Sequence, residues 1–95
     1  LRVWPAPEGV SPFVFPIMSR HELCRTFSAE ILAAGIEIRS LMGGSIQNHP
    51  AFAKLRREPL PRCEEMGKRA FFVGIHQTLN TEGVREAAQL LCTLL

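Results

Sequence analysis

The segment SRHELCRTFSAEILAAGIEIR, residues 19–39, decides the fold because it contains a helix, the end of that helix and a strand. Four apolar residues of this segment recur at helical spacing: Leu23, Phe27, Ile31 and Ala34. Ser19 and Glu22 have the spacing of a capping box, and Gly35 is placed to end the helix. Residues 36–39 then alternate between apolar and polar side chains, which predicts a half-buried strand.

A second strand and a second amphipathic helix are predicted towards the end of the chain. Residues 71–75 are almost entirely apolar and short, as expected of a strand. Asn80 is the expected N-cap of the helix that follows, which carries an apolar stripe to the last residue. Leu90 and Leu94 make this stripe wider than one sheet face needs, so either the chain end frays or a second surface covers them.

The rest of the chain is rich in proline. Residues 1–12 are predicted to be an extended lead-in or linker, and residues 13–17 an edge strand, since proline is a poor residue for a helix or a central strand. Pro50 suits the first turn of a short helix over residues 51–57. One or two further helical turns are expected within residues 62–69.

The resulting order, β-α-β-(α)-β-α, predicts a small α+β domain over residues 13–95, with its helices packed on one face of a short sheet. A chain of 95 residues is long enough for one modest core. Apolar residues make up 46% of the chain and charged residues 21%, which is the composition of a globular and not of a disordered protein.

Composition excludes several classes of function. The chain has no Asp, so Asp-centred triads and EF-hand loops are excluded. A net charge of +2 is too small to predict a nucleic-acid partner. No apolar run approaches the roughly 20 residues of a membrane span, and the first residues do not have the pattern expected of a signal peptide. Three widely spaced cysteines predict reduced thiols and a cytoplasmic location.

Few side chains have the spacing that catalysis or metal binding requires. The three histidines are scattered, so no metal site is predicted. Lys54 and Lys68 lie in charged surroundings, which do not favour the neutral amine that a Schiff base needs. A small hydrolase that uses His76 with Cys63 or Glu65 is the weakest hypothesis. We therefore expect no catalytic residue in this chain.

Arg39 and the Gly43-Gly44 turn after the same strand are candidates for binding an anion. A guanidinium on a strand can bind phosphate or carboxylate, and a glycine turn can expose backbone N–H groups. The alternatives are that Arg39 forms an ion pair with Glu37 or a helical Glu, and that the two glycines are a simple turn.

Three motifs resemble, in order and spacing, the C-terminal part of the DegT-type family, the pyridoxal-phosphate-dependent sugar aminotransferases and 3-dehydrases that act on nucleotide-linked sugars. These motifs are SPFVFPI, AAGIEIRSLMGGSIQNHPAF and FFVGIHQTLNTEGV, which begin at residues 11, 33 and 71. The resemblance covers nearly all of residues 11–95. It implies the small C-terminal domain of an aspartate-aminotransferase-like fold, which closes over the substrate of these deoxysugar and lipopolysaccharide biosynthetic enzymes.

In that family the pyridoxal phosphate, the Schiff-base lysine and the phosphate-binding groups belong to the large domain. The resemblance therefore implies that these 95 residues hold no cofactor and are not catalytic alone, since the cofactor supplies the difficult chemistry. Whether they are a piece of a longer enzyme or a truncated relative stays open. The expected partners are a nucleotide sugar and either the missing large domain or further copies of the chain.

The resemblance also implies a substrate-binding set. Arg39, Gly43 and Gly44 match the strand and turn of the family on the substrate side, and His76 matches the His before the last helix. Ser45 occupies the position of an Asn in the dehydrase-like branch, so it offers a shorter side chain without the amide donor.

An alternative hypothesis is a free-standing module that binds another protein or itself and has no enzymatic activity. Its apolar surface would replace the contact with a large domain. The residues expected to form this surface are Trp4, Phe13, Phe15, Leu90 and Leu94.

Overall fold

The computed structural model describes residues 1–23, 25–41, 45–55 and 58–95. The strands of this described part are β1 (Arg2–Val3), β2 (Val14–Met18), β3 (Ile38–Ser40) and β4 (Ala70–Gly74). Its α-helices are α1 (Arg25–Ala33), α2 (Pro61–Arg69) and α3 (Thr81–Leu94). Two short 3-10 helices, Ile46–Asn48 and Pro50–Leu55, lie between β3 and α2.

The strands form one antiparallel sheet in the order β1-β2-β4-β3. This sheet with its helices confirms the predicted small α+β domain. β4 lies between β2 and β3, and it places Phe71 opposite Ile17 on one side and opposite Ser40 on the other. The last of the described strands in the sequence, β4, is therefore one of the two inner strands of the sheet.

The N-terminal residues contradict part of the prediction, because Arg2 and Val3 are a strand of the sheet and not a lead-in. β2 was expected at the edge, yet β1 pairs with it at Ile17 and Met18. The pairing with β1 does not include Pro16, which has no N–H to donate. Pro16 is paired only with Phe72 of β4, although its strand has two neighbours.

The core lies on one face of the sheet. Residues directly opposite each other in an antiparallel pair share a face, so Ile17 and Phe71 point to the same side. Ile31 of α1 and Leu91 of α3 pack against them, and none of the four is more than 4% exposed. Half-buried apolar residues surround this cluster: Leu1, Phe15, Leu23, Phe27, Ile36, Ile38, Val73, Leu94 and Leu95.

The end of α1 confirms the prediction for Gly35. This residue has φ +84°, a left-handed conformation that glycine adopts without the steric cost of a Cβ atom. Its N–H donates to the carbonyl of Leu32 at 2.9 Å, and the N–H of Ile36 donates to that of Ile31 at 3.1 Å. These two bonds are a Schellman motif, which turns the chain from α1 towards β3.

The start of α1 contradicts the predicted capping box. Ser19 is 1% exposed and its hydroxyl donates to the carbonyl of His21, while its N–H donates to the carbonyl of Arg69 at 3.0 Å. The carboxylate of Glu22 pairs with Lys68. Ser19 and Glu22 thus form contacts where the end of β2 meets α2 and do not cap α1, which spans Arg25–Ala33.

The other helices follow their sequence signals more closely. The helix expected over residues 51–57 is observed as the 3-10 helix Pro50–Leu55, and residues 56–57 lie outside the described part of the chain. The expected turns at 62–69 are α2, whose first residue is Pro61. The side chain of Asn80 accepts a hydrogen bond from the N–H of Gly83 at 2.6 Å, which confirms it as the N-cap of α3.

The register of β4 predicts different costs for truncating two adjacent phenylalanines. Phe71→Ala leaves a cavity in the core and should lower the free energy of unfolding by about 3–5 kcal/mol. Phe72→Ala removes a half-buried ring from the other face and should cost about 1–2 kcal/mol. Urea denaturation of both variants measures the difference. Equal costs, or a larger cost for Phe72, would contradict the register, because a shift by one residue exchanges the two faces.

Candidate functional site

The residues expected to bind substrate lie at different ends of the sheet. Ser45 follows the end of β3, and His76 follows the end of β4. Since β3 and β4 are antiparallel, Ser45 belongs to the end of the sheet where β4 begins. From Phe71 to Gly74 the strand alone advances about 10 Å, at ~3.3 Å per residue. Gly43 and Gly44 lie outside the described residues.

Arg39 lies on the face of the sheet opposite the core, across from Phe72. Its Nη2 and Nε donate to the same carboxylate oxygen of Glu37, at 2.9 and 3.1 Å. The side chains are 72% and 70% exposed, so this ion pair contributes little to stability. The structure therefore shows the predicted alternative, a solvated ion pair between Arg39 and Glu37. Because this pair is weak, an anionic ligand can compete with Glu37 for Arg39.

His76 lies in a stretch, residues 74–86, in which every residue is exposed. Its Nδ1 accepts the N–H of Thr78 at 3.2 Å and lies 2.7 Å from the hydroxyl of Thr78. In the neutral ring the proton is then on Nε2, which makes this atom a donor to an approaching ligand and not a base. Among the described contacts, His76 is bonded to Thr78 and Glu65 is bonded to Arg69, so the two are not paired with each other.

The predicted interaction surface is divided by the fold. Phe15 and Leu94 pack against the core, and Leu90 is half-buried. Trp4 is half-buried, with the guanidinium of Arg2 5.5 Å from its ring centroid. Phe13 is 75% exposed. Of the five residues, only Phe13 therefore presents most of its side chain to solvent.

The described part of the chain contains a cleft of about 290 Å³ between the two 3-10 helices and α2. We call it the α2 cleft. One wall carries a hydroxyl, an amide and an imidazole, and the other carries charged residues of α2. Its lining is Ser45, Asn48, His49, Pro50, Glu64, Gly67 and Lys68. Sequence analysis missed this site, because only the fold brings residues 45–50 beside residues 64–68.

Ser45 is the most unusual residue of the α2 cleft. It is 8% exposed, and within the described residues its Oγ has no hydrogen-bond partner. The same holds for the buried Oε1 of Gln47, two residues later. A buried polar atom without a partner costs about 1–3 kcal/mol, so two of them in one short segment indicate a site that is completed by something else.

His49 is held in place by its neighbours. Its Nδ1 accepts the N–H of Ala51 at 3.3 Å, and its ring centroid lies 5.8 Å from that of Phe52. As in His76, the neutral ring then carries its proton on Nε2. His49 lines the α2 cleft, and Nε2 is the ring atom that is left to donate.

The charged residues do not fit a pyridoxal phosphate site. Nζ of Lys68 lies 3.1 Å from Glu22, and both side chains are more than half exposed. Lys54 is exposed as well. A Schiff-base lysine is normally desolvated to keep its amine neutral, and neither residue is. Neither lysine is therefore assigned a Schiff-base role.

Metal ligation and membrane insertion have no support among the described residues. They contain no group of three His, Cys, Asp or Glu side chains that could hold a metal ion. None of the helices described is both long and apolar enough to cross a bilayer.

A second cleft of about 280 Å³ lies between β1, the end of β2 and α2. Its main feature is Arg69, whose Nε and Nη2 donate to the carbonyl of Ser19 at 2.9 and 2.8 Å. The same guanidinium binds Glu65. Arg69 has its donors used within the fold, so we regard it as a structural link between α2 and β2.

Comparison of the chain with family models, with curated proteins and with solved structures finds no match. The resemblance to the DegT-type family therefore rests on the three sequence motifs given above.

The unpartnered hydroxyl predicts that Ser45→Ala stabilises the isolated chain. Removing a buried group without a partner should raise the free energy of unfolding by about 1 kcal/mol. Ser40→Ala, at an exposed position of β3, is the control and should change it by less than about 0.5 kcal/mol. Thermal and urea unfolding measure both. A loss of stability in Ser45→Ala would mean that the hydroxyl is bonded in the folded chain.

Proposed function

We propose that this chain is the small, substrate-closing domain of a pyridoxal-phosphate-dependent nucleotide-sugar aminotransferase or dehydrase, and that it has no catalytic activity alone. Three observations support the proposal: the motifs, the small α+β fold with its core on one sheet face, and the amount of surface that the chain leaves uncovered. The last of these carries the argument.

The chain exposes 7647 Å². A folded monomer of 10.6 kDa is expected to expose about 5,500 Å². Its radius of gyration is 14.9 Å, against about 12.4 Å for a compact domain of this length. The excess of roughly 2,100 Å² is of the size that a permanent interface buries. This is the surface expected of a domain that has a large neighbour.

The uncovered surface is concentrated in a few segments. Every residue of 5–13, of 58–63 and of 74–86 is exposed. Large apolar side chains are among them, including Phe13 at 75%, Leu79 at 54% and Val84 at 50%. Only the second half of α3 reaches the core, through Leu91. The first half of this helix is available to a neighbouring domain.

In the proposed enzyme, this domain binds and encloses the sugar nucleotide. Arg39 leaves Glu37 to pair with a phosphate of the ligand, and His76, beyond the end of β4, donates from Nε2. Closure against the large domain excludes water, which strengthens both contacts. A ligand that extends from the middle of β3 past the end of β4 can meet both residues. The two described cysteines, Cys63 and Cys92, are free thiols, which supports a cytoplasmic location.

The proposal predicts weak binding of a nucleotide sugar by the chain alone. NMR titration with UDP-, GDP- and CDP-linked hexoses should give saturable shifts near Arg39 for at least one of them, at millimolar concentration. Arg39→Gln should weaken this binding about tenfold through loss of the charged pair. Arg85→Gln, which removes an exposed arginine of α3, is the matched control and should bind like the original chain.

The absence of saturable shifts with all three ligands at 10 mM would contradict the proposed function. Equal weakening by both substitutions would also contradict it, because that result indicates a general effect of net charge and no specific role for Arg39.

A free-standing interaction module is the second candidate, and the same uncovered surface favours it. On this hypothesis a second copy or another protein covers the exposed apolar side chains. Sedimentation of the purified chain from about 5 to 500 µM distinguishes the two: a dimer or larger assembly supports the module, and a monomer throughout favours a domain whose neighbour is a different polypeptide segment.

A further inference from the structure

We propose that the α2 cleft binds the phosphate group of a small ligand, through Ser45, Asn48, His49 and Lys68. This inference goes beyond the proposed function: it shares Ser45 with the substrate-binding set that the resemblance implies, whereas Asn48, His49 and Lys68 are not in that set.

The donors of the α2 cleft come from two elements that the fold brings together. Asn48 and His49 end the first 3-10 helix, and Lys68 lies in the last turn of α2. An amide and an imidazole Nε2–H are neutral donors, and the ammonium group adds one positive charge. Phosphate oxygens accept hydrogen bonds from all of these groups.

Ser45 provides the second, independent observation. It is more than nine-tenths buried, it lines the α2 cleft, and within the described residues its hydroxyl has no partner. The Oγ itself is buried, and a rotation about χ1 would turn it to the cleft, where a hydroxyl can donate to a phosphate oxygen. A structural serine would have found a partner in the protein, because buried hydroxyls almost always do.

Lys68 can turn to a ligand at little cost. Its pair with Glu22 is exposed on both sides, and such pairs contribute between about 0 and 1 kcal/mol. A phosphate carries more negative charge than a carboxylate and can take three donors at once. Binding therefore exchanges a weak pair for a stronger one, and Glu22 competes with the ligand.

The size of the α2 cleft limits the ligand to a small one. A volume of about 290 Å³ is at the lower end for small-molecule sites. Free phosphate and the phosphate monoester of a hydroxylated molecule are the two sources of the group, and titration distinguishes them.

The test is an NMR titration of the chain with inorganic phosphate, with glucose 1-phosphate and with glucose. We expect saturable shifts of Asn48, His49 and Lys68 with both phosphate compounds and none with glucose. Tighter binding of glucose 1-phosphate identifies a monoester as the source, and equal binding identifies the phosphate ion. No saturable shift with either compound at 20 mM would overturn the proposal.

Variants separate specific binding from a general effect of charge. Lys68→Gln and Ser45→Ala should each weaken phosphate binding, by about tenfold for the loss of the cation. Lys54→Gln removes an exposed lysine that does not line the α2 cleft, and Ser40→Ala is the control for the hydroxyl. Both controls should bind like the original chain. Equal losses in Lys68→Gln and Lys54→Gln would overturn the proposal.

The variant Glu22→Gln distinguishes a ligand-binding role of Lys68 from a merely structural one. Removing the competing carboxylate should tighten phosphate binding several-fold, and unchanged or weaker binding would contradict the proposed exchange of partners. Arg39→Gln should leave phosphate binding in the α2 cleft unchanged. Loss of nucleotide-sugar binding therefore does not affect this inference, and loss of phosphate binding does not affect the proposed function.

Discussion

The packing of Phe71 against Ile17, Ile31 and Leu91 is the interaction on which the rest of the structure depends. Phe71 lies in the central strand and is fully buried, and its three neighbours come from β2, α1 and α3. One side chain thus joins the sheet to two helices that are remote in the sequence. This core is small and lies on one face of the sheet. It fixes how the strands and helices are arranged, but it is too small to bury all of their residues, so whole segments stay exposed.

The uncovered surface connects the fold to the function. A domain that folds for itself alone would bury more of α3 than its second half and would not leave the stretch 74–86 fully exposed. Such a surface is expected where a neighbour completes the structure. The α2 cleft shows the same incompleteness on a smaller scale, since the hydroxyl of Ser45 and the amide oxygen of Gln47 have no partners within the described residues.

Local signals in the sequence predicted local structure well. Gly35 and Asn80 end and begin helices as expected, because each acts on backbone groups within five residues of itself. The failures concern contacts between remote segments. Ser19 has the spacing of a cap, yet it bonds His21 and Arg69 because the end of β2 lies against α2. Two further features also form between segments that are distant in the sequence: the pairing of β1 with β2, and the α2 cleft. No short sequence motif predicts such contacts.

The central claim is that these 95 residues are completed by a larger neighbour, and the mass of the native product tests it most directly. The measurement is the intact mass in the source cells, both denatured and under native conditions. The account predicts a polypeptide several times heavier than 10.6 kDa, or a chain of 10.6 kDa held in a stable larger assembly. A 10.6 kDa chain that is monomeric under native conditions would contradict it, because the exposed surface would then have no neighbour.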